Sequence, residues 1–334
     1  MTGWTDRLTP EVREYVDVMT AVFPDVGRTV TDPVEARRIL DATLMPFGRG
    51  RVGSVADRTI PGPVDAPELR VRIYRPRADD AEDAGEPCPT VVFFHGGGWV
   101  LGGLDSHDRI CRQLCRDGDA VVVAVDYRLA PEVRFPAPIH DAYAAVCWAA
   151  DHIEELGGDP GALVVAGDSA GGNLATAAAL MARDRGGPEL ALQVLVYPAT
   201  DAGLDQPSHR EYADGYYLTA AHVRWFREQY LGPDGDEDHP LASPLRADLS
   251  GLPPAHVVTA GCDPVCDEGR AYAAKLAAAG VPVTEAHFPR MFHGFLALSG
   301  TVDEAKQAMA GVVEAITRTV GNRKTSGDHG GGAK

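Results

Sequence analysis

The sequence has no run of about 18 apolar residues, the length a helix needs to cross a bilayer, so no transmembrane helix is expected. Its start, Met1-Thr2-Gly3-Trp4-Thr5-Asp6-Arg7, lacks the basic patch and apolar stretch of a secretory signal, and a cytoplasmic location is expected. Basic residues are scarce beside acidic ones. There are 31 Lys and Arg against 48 Asp and Glu, a formal net charge of −17. That balance argues against nucleic acid and against stable association with anionic membrane. Much of the acidic excess is local. Asp79, Asp80, Glu82, Asp83 and Glu86 share one stretch, and Asp234, Asp236, Glu237 and Asp238 another; both read as solvated loops. The chain also lacks a zinc knuckle. Its six cysteines include two pairs at i, i+4 spacing, Cys111/Cys115 and Cys262/Cys266, but no C-x-x-C and no nearby histidine at finger spacing. Reduced, mostly buried thiols are expected, with no metal and no organic cofactor. No internal repeat is present.

What the chain does have is Gly167-Asp168-Ser169-Ala170-Gly171, a G-x-S-x-G pentapeptide. The apolar strand-like run Ala162 to Ala166 precedes it, and the helix-forming run Gly172 to Leu180 follows. Strand, tight turn and helix are the setting of a nucleophile elbow. Small residues flank Ser169 because a bulky side chain in so sharp a turn would strike the neighbouring strand or helix.

A second motif, His95-Gly96-Gly97-Gly98-Trp99, follows the apolar strand Val91 to Phe94. Consecutive glycines cost entropy to order and add no packing. Their benefit is exposed backbone N–H groups that approach a ligand closely. In acyl transfer such donors face the oxygen that becomes negative in the tetrahedral intermediate.

At these residues the chain resembles the hormone-sensitive-lipase-like family of α/β-hydrolases, a group of carboxylesterases. The resemblance extends to Asp126-Tyr127-Arg128-Leu129-Ala130-Pro131-Glu132, Phe135-Pro136-Ala137-Pro138, Tyr197-Pro198, Asp263-Pro264-Val265-Cys266-Asp267-Glu268-Gly269 and Phe292-His293-Gly294-Phe295. It spans residues 50 to 320 in order. Cys266 departs from the family, which often has Arg there. The departure bears on a local ion pair and not on the aspartate.

The chain has 334 residues, 45% of them hydrophobic, enough for one large α/β domain with its own core. Candidate strands are Val52 to Thr59, Leu69 to Tyr74, Thr90 to Phe94, Ala120 to Val125, Leu163 to Ala166, Gln193 to Val196, His256 to Thr259 and Val283 to Phe288. Pro61-Gly62-Pro63 is too short for a crossover, so the first two strands are read as antiparallel and the later ones as parallel. Candidate helices are Asp105 to Arg116, Pro136 to Leu156, Ala170 to Asp184, Val265 to Ala279 and Thr301 to Val320. The arrangement fits an α/β-hydrolase fold over residues 49–320, a mostly parallel eight-stranded sheet flanked by helices.

Two segments stand outside the alternation. Residues 1–48 carry helical stretches at Pro10 to Ala21 and Pro33 to Leu44, and residues 203–240 carry one at Thr219 to Leu231. Both look like the family's helical cap. Residues 321–334, glycine-rich and polar, are expected to be disordered.

A serine hydroxyl needs a base within hydrogen-bond reach, and the base needs an orienting carboxylate. In this fold the chain order is Ser, then Asp or Glu, then His. His293 follows the last candidate strand at its C-terminal end, where parallel α/β folds gather their chemistry. Phe292 and Phe295 would keep its ring dry. His222 lies in the cap helix, His209 and His239 in polar loops of the insert, and His256 and His287 inside strands. Asp263 stands at the same sheet edge. Asp267 and Glu268 are rivals, but Asp267 falls in a helix start, where a carboxylate more often meets backbone N–H groups. The catalytic set is therefore read as Ser169, Asp263 and His293.

The N–H of Ala170 completes the oxyanion hole by elbow geometry, and those of Gly97 and Gly98 by the family resemblance. His95 is read as pinning the glycine loop, and Asp168 as pointing away from the cleft into a structural hydrogen bond. His107-Asp108 is read as helix capping or packing. Trp99, Tyr217, Leu218 and Phe226 are assigned to the substrate pocket; Tyr216, Trp225 and Tyr230 belong to the same aromatic groups near cleft or cap.

The resulting expectation is a serine carboxylesterase acting on a small-molecule ester of short to medium acyl chain. Two alternatives stay open: an amidase or formamidase with the same triad, and a non-catalytic ligand-binding receptor of the same fold. The complete Ser-Asp-His set argues against the receptor. Oligomeric state stays open, a homodimer included.

Overall fold

The computed structural model describes residues 7–43, 50–77 and 86–326. Asp79, Asp80, Glu82 and Asp83 of the acidic stretch, the end of the first cap segment and residues 327–334 lie outside the described residues.

Apolar runs make the inner strands, while the outer ones carry charged and polar residues: β1 (Ser54–Ile60), β2 (Leu69–Arg75), β3 (Cys88–Phe94), β4 (Val121–Asp126), β5 (Gly158–Asp168), β6 (Leu192–Val196), β7 (Ala255–Cys262) and β8 (Val283–Phe292). They form one eight-stranded sheet in the order β1-β2-β4-β3-β5-β6-β7-β8. β1 and β2 are antiparallel, as are β2 and β4; the pairs from β4 through β8 are parallel. Every residue of β3 and of β7 is buried, as strands covered on both faces must be.

The helices are α1 (Pro10–Val22), α2 (Pro33–Thr43), α3 (Asp108–Asp117), α4 (Ala137–Asp151), α5 (Ile153–Leu156), α6 (Ala170–Arg185), α7 (Pro207–Glu211), α8 (Ala220–Leu231), α9 (Cys266–Ala278) and α10 (Asp303–Ser326). Side chains of β3 alternate between two cores. Val92 and Phe94 join α4, α6 and α9 on one face; Val91 and Phe93 join α3 and α10 on the other. This is the α/β-hydrolase architecture expected from the sequence.

Several boundaries differ from the sequence reading. The helix expected over Pro136 to Leu156 breaks at His152 (φ −113°, ψ 15°), whose ring Nδ1 bonds the Trp148 carbonyl at 2.8 Å. β5 begins at Gly158, well before Leu163, because its first residues pair with the start of β3. β7 and β8 run on to Cys262 and Phe292, so Asp263 and His293 directly follow their strands. The last helix continues past Gly321 to Ser326 rather than ending at Val320.

The tightest place in the fold is the turn from β5 into α6. A Cβ on Gly171 would lie 1.9 Å from the Phe94 carbonyl oxygen, and one on Gly167 would lie 2.3 Å from the Gly171 backbone. Backbone thus packs on backbone between α6 and the end of β3. Both contacts are with backbone atoms that cannot rotate away.

Gly171→Ala is therefore expected to destabilise the protein by at least the ~1–3 kcal/mol typical of overpacking. Differential scanning calorimetry should show Tm lowered by about 2 °C or more. An unchanged Tm would show that α6 can lift from the sheet without cost.

Candidate active site

Ser169 sits between β5 and α6 with φ 56° and ψ −120°, a backbone conformation that side chains rarely adopt. It is tied on both sides: its N–H donates to Val196 O at 2.9 Å, and its C=O accepts from Ala199 N at 3.1 Å. The turn lifts Oγ out of the sheet edge toward the ring of His293.

His293 Nε2 lies 2.8 Å from Ser169 Oγ. On the far side of the ring, Nδ1 lies 2.7 Å from Asp263 Oδ2. A carboxylate only accepts, so Nδ1 carries a proton and Nε2 is free to accept from the serine hydroxyl. Asp263 is fully buried, and its other oxygen accepts the Val265 N–H at 2.9 Å. Three residues far apart in sequence are joined because β5, β7 and β8 end at the same sheet edge.

The ring against His293 was not anticipated. Tyr197, at φ 35°, places its ring 4.7 Å from the imidazole centroid, and Phe295 lies behind Tyr197 at 5.9 Å. Phe292 and Phe295 are fully buried, but Tyr197 is the ring that packs on the imidazole. The Tyr197-Pro198 pair after β6 was the available signal.

The rival carboxylates point elsewhere. Asp267 accepts the Ser208 N–H at 2.9 Å. Glu268, fully buried, accepts the Thr200 N–H at 2.9 Å and Arg227 Nη2 at 2.9 Å. His209 is not in a polar loop: it is buried in α7, with Nε2 3.4 Å from Glu268. His222 accepts the Thr219 N–H and reaches Asp25 at 3.2 Å, tying α8 to the first cap segment. His239 accepts the Leu241 N–H, and His287 bonds Thr259 Oγ1. His256 is buried in β7 with no hydrogen-bond partner on either ring nitrogen among the described residues.

The glycine loop comes off β3 beside the elbow. Gly97 (φ 120°) and Gly98 (φ 61°) both lie in the left-handed region. A Cβ on Gly98 would lie 2.2 Å from the Phe226 ring, so α8 presses directly on this loop. Ala170 opens α6, where a backbone N–H has no partner in its own helix. His95 Nδ1 contacts the Gly96 carbonyl at 2.8 Å, and the His95 ring stacks on Tyr127 at 4.3 Å. Burial pushes its pKa down to about 3, so the ring is neutral and donates from Nδ1.

Asp168 turns to the loop as well. Its Oδ1 accepts the Gly96 N–H at 2.9 Å and lies 3.2 Å from His107 Nε2. His107, read from the sequence as helix capping or packing, occupies the N-cap position of α3 without a side-chain cap bond; its ring packs near Phe93 and His95 and bridges Ser106 and Asp168. Sequence spacing carries no sign of this contact, because the two residues meet only through the β3–β5 pairing.

A cavity of about 310 Å³ opens at Ser169 and His293. Gly97, Gly98, Ala170, Trp99, Tyr217, Leu218 and Phe226 all line it. Met19, Phe23 and Leu40 close one side from α1, its C-cap and α2. The Trp99 ring is also committed to stacking on Tyr230 at 4.2 Å. Tyr216 packs on Tyr212, and Trp225 covers Gly27; neither faces the cavity.

Comparisons with known proteins agree with this geometry. A family model described as alpha/beta hydrolase fold matches residues 91–297. The chain is 47% identical over 287 residues to the carboxylic ester hydrolase LipN of Mycobacterium tuberculosis, covering 83% of this chain and 74% of that protein. It is 40% identical over 321 residues to the carboxylesterase NlhH of the same species, covering 93% and 97%. A hyperthermophilic esterase from the archaeon Pyrobaculum calidifontis superposes with a TM-score of 0.86 at 41% identity, covering 94% of this chain and 99% of that one.

The buried histidines set an acid limit on the fold. Burial holds the pKa of His95 at about 3 and lowers those of His222 and His256. In the unfolded chain each would titrate near the ordinary value of about 6.5. Below that pH the unfolded state binds protons that the folded state refuses, so stability falls as pH drops from about 6.5 toward 3. The urea midpoint should be lower at pH 5 than at pH 7.5; a constant midpoint would contradict neutral burial of these rings.

Proposed function

Because the chain belongs to the α/β-hydrolase family, we propose that it hydrolyses carboxylic esters of short to medium acyl chain through an acyl-enzyme intermediate. One observation carries this reading: the unbroken line from Asp263 through His293 to Ser169 Oγ, opening on an apolar cavity beside the glycine loop.

Ser169 attacks the ester carbonyl while His293 Nε2 takes its proton. Asp263 fixes the tautomer and stabilises the imidazolium that forms. The carbonyl oxygen becomes negative and is held by the N–H groups of Gly97, Gly98 and Ala170, each such donor worth about 10²–10³ in rate. As the intermediate collapses, His293 returns the proton to the departing alcohol. Water then attacks the acyl-serine by the same route and the acid is released. Each step moves protons between named groups and requires no electron transfer. The imidazole in bonding distance of Ser169 also favours this reading over a receptor.

In this proposal the cap comprises the segments 1–48, described over 7–43, and 203–240, on the α/β-hydrolase domain of residues 49–320. Support comes from Met19, Phe23 and Leu40 of the first segment and Leu218, Val223 and Phe226 of the second lining the same cavity. The apolar walls suit the acyl chain, and the limited volume favours short ones. We place the enzyme in the cytoplasm, a setting compatible with six cysteines that are all unpaired and of which five are buried. Among the described residues no helix is long and apolar enough to cross a membrane.

Ser169→Ala should lower p-nitrophenyl butyrate turnover by about 10⁴–10⁶ while leaving the circular-dichroism spectrum unchanged. Mass spectrometry after organophosphate treatment should place the label on Ser169 alone. Activity above a few per cent, or a label on another residue, would remove Ser169 from its role.

On soluble p-nitrophenyl esters, kcat/KM should be highest for acyl chains of about two to eight carbons, since the cavity is at the small end of ligand pockets. Matched anilides, run beside them, should turn over more slowly. Higher efficiency on emulsified long-chain triglyceride would overturn the chain-length reading, and faster anilide cleavage the ester reading.

A further inference from the structure

Ser169 is flanked by a second histidine–aspartate contact that the proposed mechanism does not use. It lies under the glycine loop, between the start of α3 and the elbow. His107 Nε2 is 3.2 Å from Asp168 Oδ1, and His107 Nδ1 is 2.8 Å from Ser106 Oγ.

Hydrogen-bond bookkeeping decides the charge of this ring. Ser106 Oγ accepts the Gly103 N–H at 3.0 Å and lies 2.9 Å from Gly103 O, which can only accept. With the hydroxyl proton on that carbonyl, the remaining lone pair of Oγ accepts and His107 Nδ1 donates to it. On the other side, Asp168 is a carboxylate and also only accepts, so His107 Nε2 must donate as well. With both nitrogens protonated the ring is an imidazolium. The alternative, a Ser106 proton turned to Nδ1, would leave the Gly103 carbonyl without that partner.

The charge has a purpose because of where Asp168 lies. Asp168 is buried and precedes the nucleophile directly, with its Oδ1 on the N–H of Gly96, one residue before the first oxyanion donor. Burial pushes its pKa up, but the His107 ring and the Gly96 N–H outweigh burial and hold it below the usual carboxylate range. It is therefore an anion. An uncompensated anion here would oppose the negative oxygen of a tetrahedral intermediate, in a site shielded from water.

Among the described residues, the groups in contact with the His107 ring include Ser106 on its own loop, Asp168 on the elbow, Phe93 of β3 at 6.0 Å and His95, just after β3, at 5.6 Å. His95 is held neutral by its burial. Cys111, one turn along α3, has its thiol pushed well up by burial and by the neighbouring Asp108 and Asp168. The tyrosines that sense Asp168, namely Tyr127, Tyr197 and Tyr217, have hydroxyl pKa values raised by burial and stay neutral. His107 is left to supply the positive charge.

We propose that His107 is a positioning residue held as an imidazolium, whose charge neutralises Asp168 beneath the glycine loop and so lets the loop's N–H groups stabilise an oxyanion. The proposal rests on the ester-hydrolase reading for its rate consequences, but the protonation state is a property of the folded chain alone.

The experiment has two arms. The first is ¹⁵N NMR of the histidine-labelled full-length protein at pH 6 to 8, with His107 assigned by difference from His107→Gln, or from Ser106→Ala should that variant fail to fold. Two protonated ring nitrogens on His107 are expected throughout; a single protonated nitrogen at pH 7 overturns the proposal. The second arm compares His107→Gln, Asp168→Asn and the double variant on a p-nitrophenyl ester. His107→Gln should lower kcat about tenfold to a hundredfold with KM little changed, the pattern of an interaction made in the transition state. Adding Asp168→Asn removes the exposed anion and should restore at least about a third of that loss on a logarithmic scale. A double variant no faster than His107→Gln would mean that a lost contact, not an uncompensated charge, is the defect, and would overturn the proposal. A wild-type chain inactive on every ester but carrying the doubly protonated ring would overturn the ester-hydrolase reading and leave the imidazolium standing.

Discussion

The site depends on a backbone-to-backbone contact at the start of α6. Gly171 lies so close to the Phe94 carbonyl that no side chain fits between them. That contact sets the first turn of α6 beside the loop leaving β3. Ala170, Gly97 and Gly98 thereby line one cavity, although the two segments are some seventy residues apart in the chain. It also forces the unusual φ of Ser169, since the chain must leave β5 and enter α6 within one residue. Such backbone strain costs on the order of 1–3 kcal/mol and survives where its surroundings leave no alternative. Here the bonds of Ser169 to Val196 and Ala199 supply that restraint.

Much of this was legible in the sequence, and the reason is local chemistry. Strands covered on both faces read as apolar runs, so the parallel core of the sheet was readable from Val91 to Phe94 or Val121 to Val125 alone. The glycine motifs were readable because close backbone approach leaves no choice of residue. Strand ends were less so. β7 and β8 continue through Ala260-Gly261-Cys262 and Pro289-Arg290-Met291-Phe292, segments whose glycine and proline suggest a stop; a register shift between Ala260 and Cys262 absorbs the irregularity. Hydrophobic periodicity cannot anticipate pairing that is imposed by a neighbour. The contacts of His107, Tyr197 and His209 were hidden for a related reason. Each is decided by a residue distant in sequence, and a lone histidine or tyrosine has no pattern that names its partner.

Among the contacts that join the segment between β6 and β7 to the rest of the molecule is one buried acid. Glu268, at the start of α9, holds the Thr200 N–H from the chain entering the insert and the guanidinium of Arg227 from α8. A buried carboxylate is costly unless its oxygens are occupied, and removing one partner would leave a charge without compensation. The adjacent residue on α8, Phe226, presses on Gly98. Position of the substrate-facing helix and shape of the glycine loop are thus mechanically linked: displacing α8 would both strand Glu268 and free the loop. On the other side His222 bonds Asp25, which ties α8 to the stretch that follows α1.

The two buried Asp–His contacts around Ser169 use the same pair of residue types for opposite ends. Their difference is the partner on the outer ring nitrogen. His293 presents Nε2 to a serine hydroxyl that can donate, so one nitrogen remains basic and a proton can move. His107 presents Nδ1 to a serine hydroxyl whose proton is directed to a backbone carbonyl, so both nitrogens must donate and no proton can move. The ring beside Asp263 is available to accept charge during reaction, while the ring beside Asp168 has already given its compensation. Placing the fixed pair under the glycine loop and the mobile pair beside the nucleophile separates the two electrostatic requirements of acyl transfer. One is a base that changes its charge, and the other is a surrounding field that does not.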